Sequence, residues 1–129
     1  MSDPDPVSYL IEAELALVSS SIVAEYQISR SWANTDDGYI RARVTLTNGD
    51  FLEASEYFVL QGGRIGTADY HHQWMDSNKQ TLRRRWDSTP HYPKLQDFPH
   101  HIHLGATAVV PGRPISLVSI LKVLESELS

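Results

Sequence analysis

Cysteine is absent from this chain of 129 residues. That excludes a disulfide framework, a thiolate nucleophile and sulfur-ligated zinc, so any metal would have to be held by nitrogen and oxygen. No apolar run approaches the roughly 18–20 residues of a membrane span, and Met1–Pro6 carries acid where a signal peptide carries base. A cytoplasmic protein without a membrane partner is expected. Positive charge is also scarce, with 11 Lys and Arg against 16 Asp and Glu and a formal net charge of −5. Coating of nucleic acid through bulk charge is thereby disfavoured, although a local basic groove is not. There is no phosphate-binding Gly-rich loop, no His-Glu-x-x-His and no serine in an elbow motif.

What is present is concentrated. All six histidines lie between Asp69 and His103, together with Arg83-Arg84-Arg85-Trp86-Asp87 and Pro99-His100-His101-Ile102-His103. Imidazoles move protons near neutral pH and bind metals, and guanidinium forks grip phosphates. This third of the chain is therefore read as the site and the rest as its scaffold.

The scaffold reads as one α+β domain over 1–129. Pro4 and Pro6 mark 1–6 as a disordered or extended lead. Helical spacing of Leu10, Ile11, Leu15, Leu17 and Val18 predicts a helix over 7–20, with Ser8 as its cap. Alternation then predicts five antiparallel strands over 22–87. Ile40, Ala42, Val44 and Leu46 share one face of their strand, and Leu52, Ala54, Glu56 and Phe58 one face of the next. Tyr70, His72 and Trp74 share a third face, opposite Asp69, His71 and Gln73. The Asn48-Gly49 turn sets Ile40 opposite Phe58, or opposite Tyr57 if it is tight. A turn at Ser77-Asn78 sets His72 and Gln73 beside Arg83 and Arg84. Residues 88–114, with five prolines and four histidines, read as a long Pro/His-rich loop packed back on the sheet. Ser116 caps a last helix over 115–128. Both helices pack on the apolar face of the meander, leaving a polar face with Arg41, Arg43, Glu53, Ser55 and Tyr57 for chemistry. Glu56, on the apolar side of its strand, lies either near the sheet edge or buried with a partner.

Three uses of the histidines compete. Metal-free cutting of RNA needs a base for the 2′-hydroxyl, an acid for the leaving oxygen, and positive charge on the phosphate. His101 or His103 with His72 or His91 supply the first pair. Arg85 with Arg83, and Arg43 across the sheet, supply the charge, while Asp87 orients a histidine or arginine. His71 is an alternative to His72, and Trp86 or Trp74 offers a base-stacking ring. In the metal-dependent alternative, a divalent ion would be bound by His100, His101, His103 and Asp87, with His91 and with Asp97 or Asp69 as further ligands. In the third, the histidines only satisfy loop carbonyls. Each element has a structural counterpart: tryptophans fill cores, and arginines on an edge strand prevent edge pairing.

The order of motifs is similar to that of TumE-type toxins. It runs Tyr9-Leu10, Asp37-Gly38-Tyr39, Ser55-Glu56-Tyr57, Tyr70-x-His72-x-Trp74, Arg85-Trp86-Asp87, Pro90-His91 and Pro99-His100-His101-x-His103. Ser88-Thr89 and Tyr92 depart from the family pattern. The resemblance covers about 7–128 and implies the toxin half of a prokaryotic toxin–antitoxin pair. Its partner would be a cognate helix-turn-helix antitoxin, and homo-oligomers are left open. It marks His72, Arg85, Asp87, His91, His100, His101 and His103 as motif positions. Most toxins of such pairs act on RNA or translation, so RNA is the expected substrate, with a non-enzymatic toxin acting by protein binding as the other possibility.

Overall fold

The structure, a computed structural model, describes residues 3–128. The chain runs α1 (Pro6–Ser19), β1 (Val23–Ala33), β2 (Asp37–Leu46), β3 (Phe51–Gln61), β4 (Arg64–Met75), β5 (Leu82–Asp87), β6 (His101–Leu104), β7 (Ala108–Pro111) and α2 (Leu117–Leu128). The strands form one antiparallel sheet in the order β1-β2-β3-β4-β5-β6-β7. Every connection is local, as a meander requires.

Two expectations about this scaffold change. The sheet has seven strands and not five. Residues 88–114 are not one long loop, because 101–111 form the β6–β7 hairpin. His101-Ile102-His103-Leu104 alternates polar and apolar residues, and Gly105 takes the positive φ of 69° that follows the strand. Pro111 is tolerated because β7 is the sheet edge, where one missing N–H donor disrupts no ladder. Only 88–100 and 112–116 remain irregular. The first helix also begins earlier than its prolines suggest. Asp5 is the cap, accepting from Ser8 N at 2.8 Å, and Pro6 opens the helix, where its missing N–H costs nothing. Residues 1–2 of the expected lead lie outside the described residues.

The apolar face of the sheet carries Ile40, Ala42, Val44, Leu52, Ala54, Phe58, Trp74 and Trp86, all buried beneath Ala13 and Leu17 of α1 and Leu117, Ile120, Leu121 and Leu124 of α2. Ile40 pairs with Glu56, a register that neither form of the Asn48-Gly49 turn anticipates. From Phe58 the shift is two residues, so the faces are those of the wider turn, and Glu56 enters the core with no exposure at all. Its carboxyl group accepts from Tyr9 Oη at 2.6 Å, Thr67 Oγ1 at 2.7 Å and Leu117 N at 3.0 Å. One side chain of β3 thus ties together α1, β4 and the start of α2, whose free N–H groups favour an acidic partner. Ser116 Oγ caps the same helix by accepting from Ser119 N at 3.0 Å.

Asp50 does similar work at the other end. It accepts from Trp74 Nε1 at 2.9 Å and pairs with Arg83 Nε at 2.7 Å. On α1 the face away from the sheet leaves Val7, Ile11, Leu15 and Val18 exposed. No helix among the described residues is long and apolar enough to cross a membrane.

Candidate functional site

The register around β4, β5 and β6 decides which titratable groups meet. The loop after Met75 is longer than a two-residue turn, with Asp76 Oδ1 accepting from Gln80 N and Thr81 N. This loop, together with a register shift between Trp74 and Met75, displaces the pairing by two residues from the sequence expectation. His72 lies opposite Trp86 and Gln73 opposite Arg85, while His71 lies opposite Asp87. Across the next ladder Asp87 faces His101 and Arg85 faces His103. Side chains of paired residues share a face. The face turned away from the helices thus holds His71, Asp87 and His101 in one row and Gln73, Arg85 and His103 in the next.

Within this cluster the imidazole centroids of His101 and His103 are 4.9 Å apart. The Tyr92 ring, from the loop before β6, stands edge-on to both, at 4.9 and 5.9 Å. That loop covers the sheet here, leaving His101 only 1% exposed. His101 Nδ1 lies 2.9 Å from Pro99 O. A carbonyl can only accept, so Nδ1 carries the proton and Nε2 keeps its lone pair. Among the described residues Nε2 has no hydrogen-bond partner, nor has Arg85 Nε, although both are buried.

Asp87 is oriented by its own turn. Oδ1 accepts from Thr89 N at 2.6 Å and from the Thr89 hydroxyl, which leaves Oδ2 toward the cluster. Oδ2 lies 3.8 Å from both His71 Nε2 and Arg85 Nε. Burial pushes the Asp87 carboxyl up, yet the Thr89 bonds and the nearby His71 and His101 rings outweigh it and hold it below the usual carboxylate value. His71 is lowered by burial, with Asp87 pulling the other way. His103 is lowered by burial and by Arg85 and His101.

The other candidates lie elsewhere. His72 is on the core face with no exposure, donating from Nε2 to Ile115 O at 2.8 Å. Its expected role as a proton-transfer group with His101 is not supported by this placement. Trp86 is core and not a stacking platform, with the Arg84 guanidinium 5.3 Å above it. Arg83 is held by Asp50, far along the hairpin from Asp87. His100 stacks on Tyr70 at 5.7 Å, with Nδ1 3.0 Å from Tyr70 Oη, on the core side. It therefore does not join His101, His103 and Asp87 in a ligand set. Arg43 is on the open face but lies beside Glu53 at 3.6 Å. His91 sits in the covering loop, with its ring 6.4 Å from that of Tyr92. The structure thus joins Asp87, His101, His103 and Arg85 with His71, the alternative to His72, and adds Tyr92.

Among the described residues metal binding has one fitting set. Ligand atoms of Asp87, His101 and His103 lie within 4.8 Å of one another. A histidine that donates Nδ1–H to a carbonyl and aims Nε2 inward is also how metal ligands are held. Against this, the Arg85 guanidinium stands at the same Asp87 oxygen that an ion would need.

His72 carries a measurable consequence of its own. Burial lowers it from the ordinary 6.5 to about 4. Between those values the unfolded chain takes up a proton that the folded chain refuses. Stability from neutral His72 is therefore complete above pH 6.5 and falls as the pH drops toward 4, by about 3 kcal/mol in total. Urea midpoints compared at pH about 7.5 and 4.5 should show this loss, and His72→Gln should reduce the pH dependence.

A family model described as Toxin TumE matches residues 12–128, nearly the whole chain. No curated protein and no solved structure matches.

Proposed function

The chain belongs to the TumE toxin family; as the toxin of a toxin–antitoxin pair it has a cognate antitoxin as partner, and we propose that it is a metal-independent endoribonuclease. His101 is the base. Its Nε2 takes the proton of a ribose 2′-hydroxyl, whose oxygen then attacks the adjacent phosphorus. His71, held beside Asp87, is the acid that protonates the departing 5′-oxygen. Arg85 meets the charge that builds on the phosphoryl oxygens, and Asp87 aligns both His71 and Arg85. The observation that carries this reading is the lone pair of His101 Nε2. It is buried and, among the described residues, unpartnered, one row along the sheet from Arg85, and a reacting hydroxyl admitted there would satisfy it. His103 and Tyr92 pack around His101, so the Tyr92 ring has to shift for a substrate hydroxyl to reach that lone pair. The antitoxin is proposed to be a helix-turn-helix protein that neutralises this activity by binding.

Purified toxin should cut single-stranded RNA in EDTA and leave 2′,3′-cyclic phosphate ends. A second reading, a metal-dependent nuclease, draws on the convergence of Asp87, His101 and His103. Loss of cutting in EDTA, restored by manganese or zinc, would select it over the first. Intact RNA under every metal condition would leave a toxin that acts by protein binding.

A further inference from the structure

Beside His71 the open face holds a groove of about 310 Å³, lined among others by Tyr39, Tyr57, Asp69, Thr89 and Pro90. Trp32, Tyr39 and Tyr57 are aligned across β1, β2 and β3, and Asp69 follows on β4 in the same row. Trp32 stacks on Tyr39 with centroids 6.2 Å apart and planes 15° from parallel. The Tyr57 hydroxyl donates to Asp37 Oδ2 at 2.8 Å, which fixes its ring. Asp69 is the one carboxylate in the lining. Among the described residues its hydrogen-bond partner is the Ser88 hydroxyl at 3.4 Å, so most of its acceptor capacity is open.

Resting on the ribonuclease reading, we propose that this groove is a guanine-selective base subsite for single-stranded RNA, with Tyr39 and Tyr57 as the stacking surface and Asp69 as the specificity carboxylate. A flat aromatic ligand suits the tyrosines, because bases splayed from a single strand stack on such rings. The edge is chosen by Asp69. An ionised carboxylate only accepts, and guanine alone presents two adjacent donors, N1–H and the exocyclic N–H. Adenine and cytosine place a ring lone pair beside their amino group, and uracil flanks one N–H with two carbonyls, so each sets an acceptor against the carboxylate. Asp69 and His71 share a face two residues apart, about 7 Å along the strand. A base held at Asp69 therefore keeps its own 3′-phosphate near the histidines.

The test uses full-length His101→Asn protein in EDTA, with intrinsic fluorescence titrated by the 3′-monophosphates of guanosine, inosine, adenosine, cytidine and uridine. Guanosine is expected to bind about tenfold to hundredfold more tightly than adenosine, a range typical of one bidentate base contact. Inosine, lacking the exocyclic amine, should fall between. Asp69→Asn should level the series, and Tyr57→Leu should weaken every base. Equal binding of guanosine and adenosine, no binding of any nucleotide, or a preference that survives Asp69→Asn would overturn the subsite. If Asp69→Asn instead weakens antitoxin binding and leaves nucleotide binding untouched, the groove receives an arginine of the protein partner and the proposal falls. Guanosine selectivity in a protein that cuts no RNA would keep the subsite and remove the ribonuclease reading. Cutting by the wild-type protein without preference for guanosine would do the reverse.

Discussion

Replacing His101 by asparagine should lower RNA cleavage by roughly 10²- to 10⁴-fold, the usual contribution of a positioned acid or base. Asparagine is the informative choice because its amide N–H₂ can still donate to Pro99 O, the bond that His101 Nδ1 makes at 2.9 Å. What disappears is Nε2 and its lone pair. Alanine removes both, and leaves a cavity beneath Tyr92 besides. A matched loss in the two variants, with unchanged thermal unfolding for asparagine, separates chemistry from folding. Arg83→Gln provides the contrast. That guanidinium belongs to Asp50 at the far end of the hairpin, so cleavage should be retained. The wild-type rate should also respond to pH with a definite sign. Burial lowers His71, so its acid form is scarce in alkaline buffer. Cleavage should therefore rise as pH falls from about 8 to about 6. Full activity of His101→Asn in EDTA would end the mechanism.

The cluster that carries this prediction was half legible in the sequence, and the residues show why only half. Alternation alone put His72 with Tyr70 and Trp74, an apolar company that a catalytic imidazole would not keep. His71, on the opposite side of the same strand, was the better choice on that evidence. Which arginine and which carboxylate it would meet depended on the length of one turn. Capping of Gln80 and Thr81 by Asp76 lengthens that turn, and with a register shift between Trp74 and Met75 the pairing moves by two residues. Local sequence sets the faces of a strand, whereas loop geometry sets the partners across a ladder. The β6–β7 hairpin was hidden for a different reason. Its strands have four residues each, and their alternation is outweighed by the prolines around them. Yet this hairpin delivers His101 and His103 beside Asp87 and Arg85, the folding back on which a shared site depends. The helices and the first four strands were plain because each has enough residues for its period to show.

Glu56→Ala should be the most damaging single substitution outside the histidine cluster, costing about 3–5 kcal/mol. Three donors lose their acceptor together: the half-buried Tyr9 and Thr67 hydroxyls and the buried Leu117 N–H. Each orphaned buried donor costs roughly 1–3 kcal/mol. Glu56→Gln tests the same point more gently. The amide keeps one oxygen, which can serve the two hydroxyls now on Oε2, but its N–H₂ then faces the Leu117 N–H, donor against donor. A smaller loss is expected, concentrated at the start of α2. Tyr9→Phe removes one donor and leaves the other two in place, so about 1 kcal/mol should suffice. Because Tyr9 and Glu56 share a bond, the double variant should cost less than the two single losses added together. Thermal unfolding would register these steps as a graded series, with several degrees for each kcal/mol. If Glu56→Ala melts with the wild type, the carboxyl group is not what joins the helices to the sheet. If it melts early, growth inhibition by the toxin should fall with the folded fraction, unlike His101→Asn, whose loss of toxicity would occur in a fully folded protein.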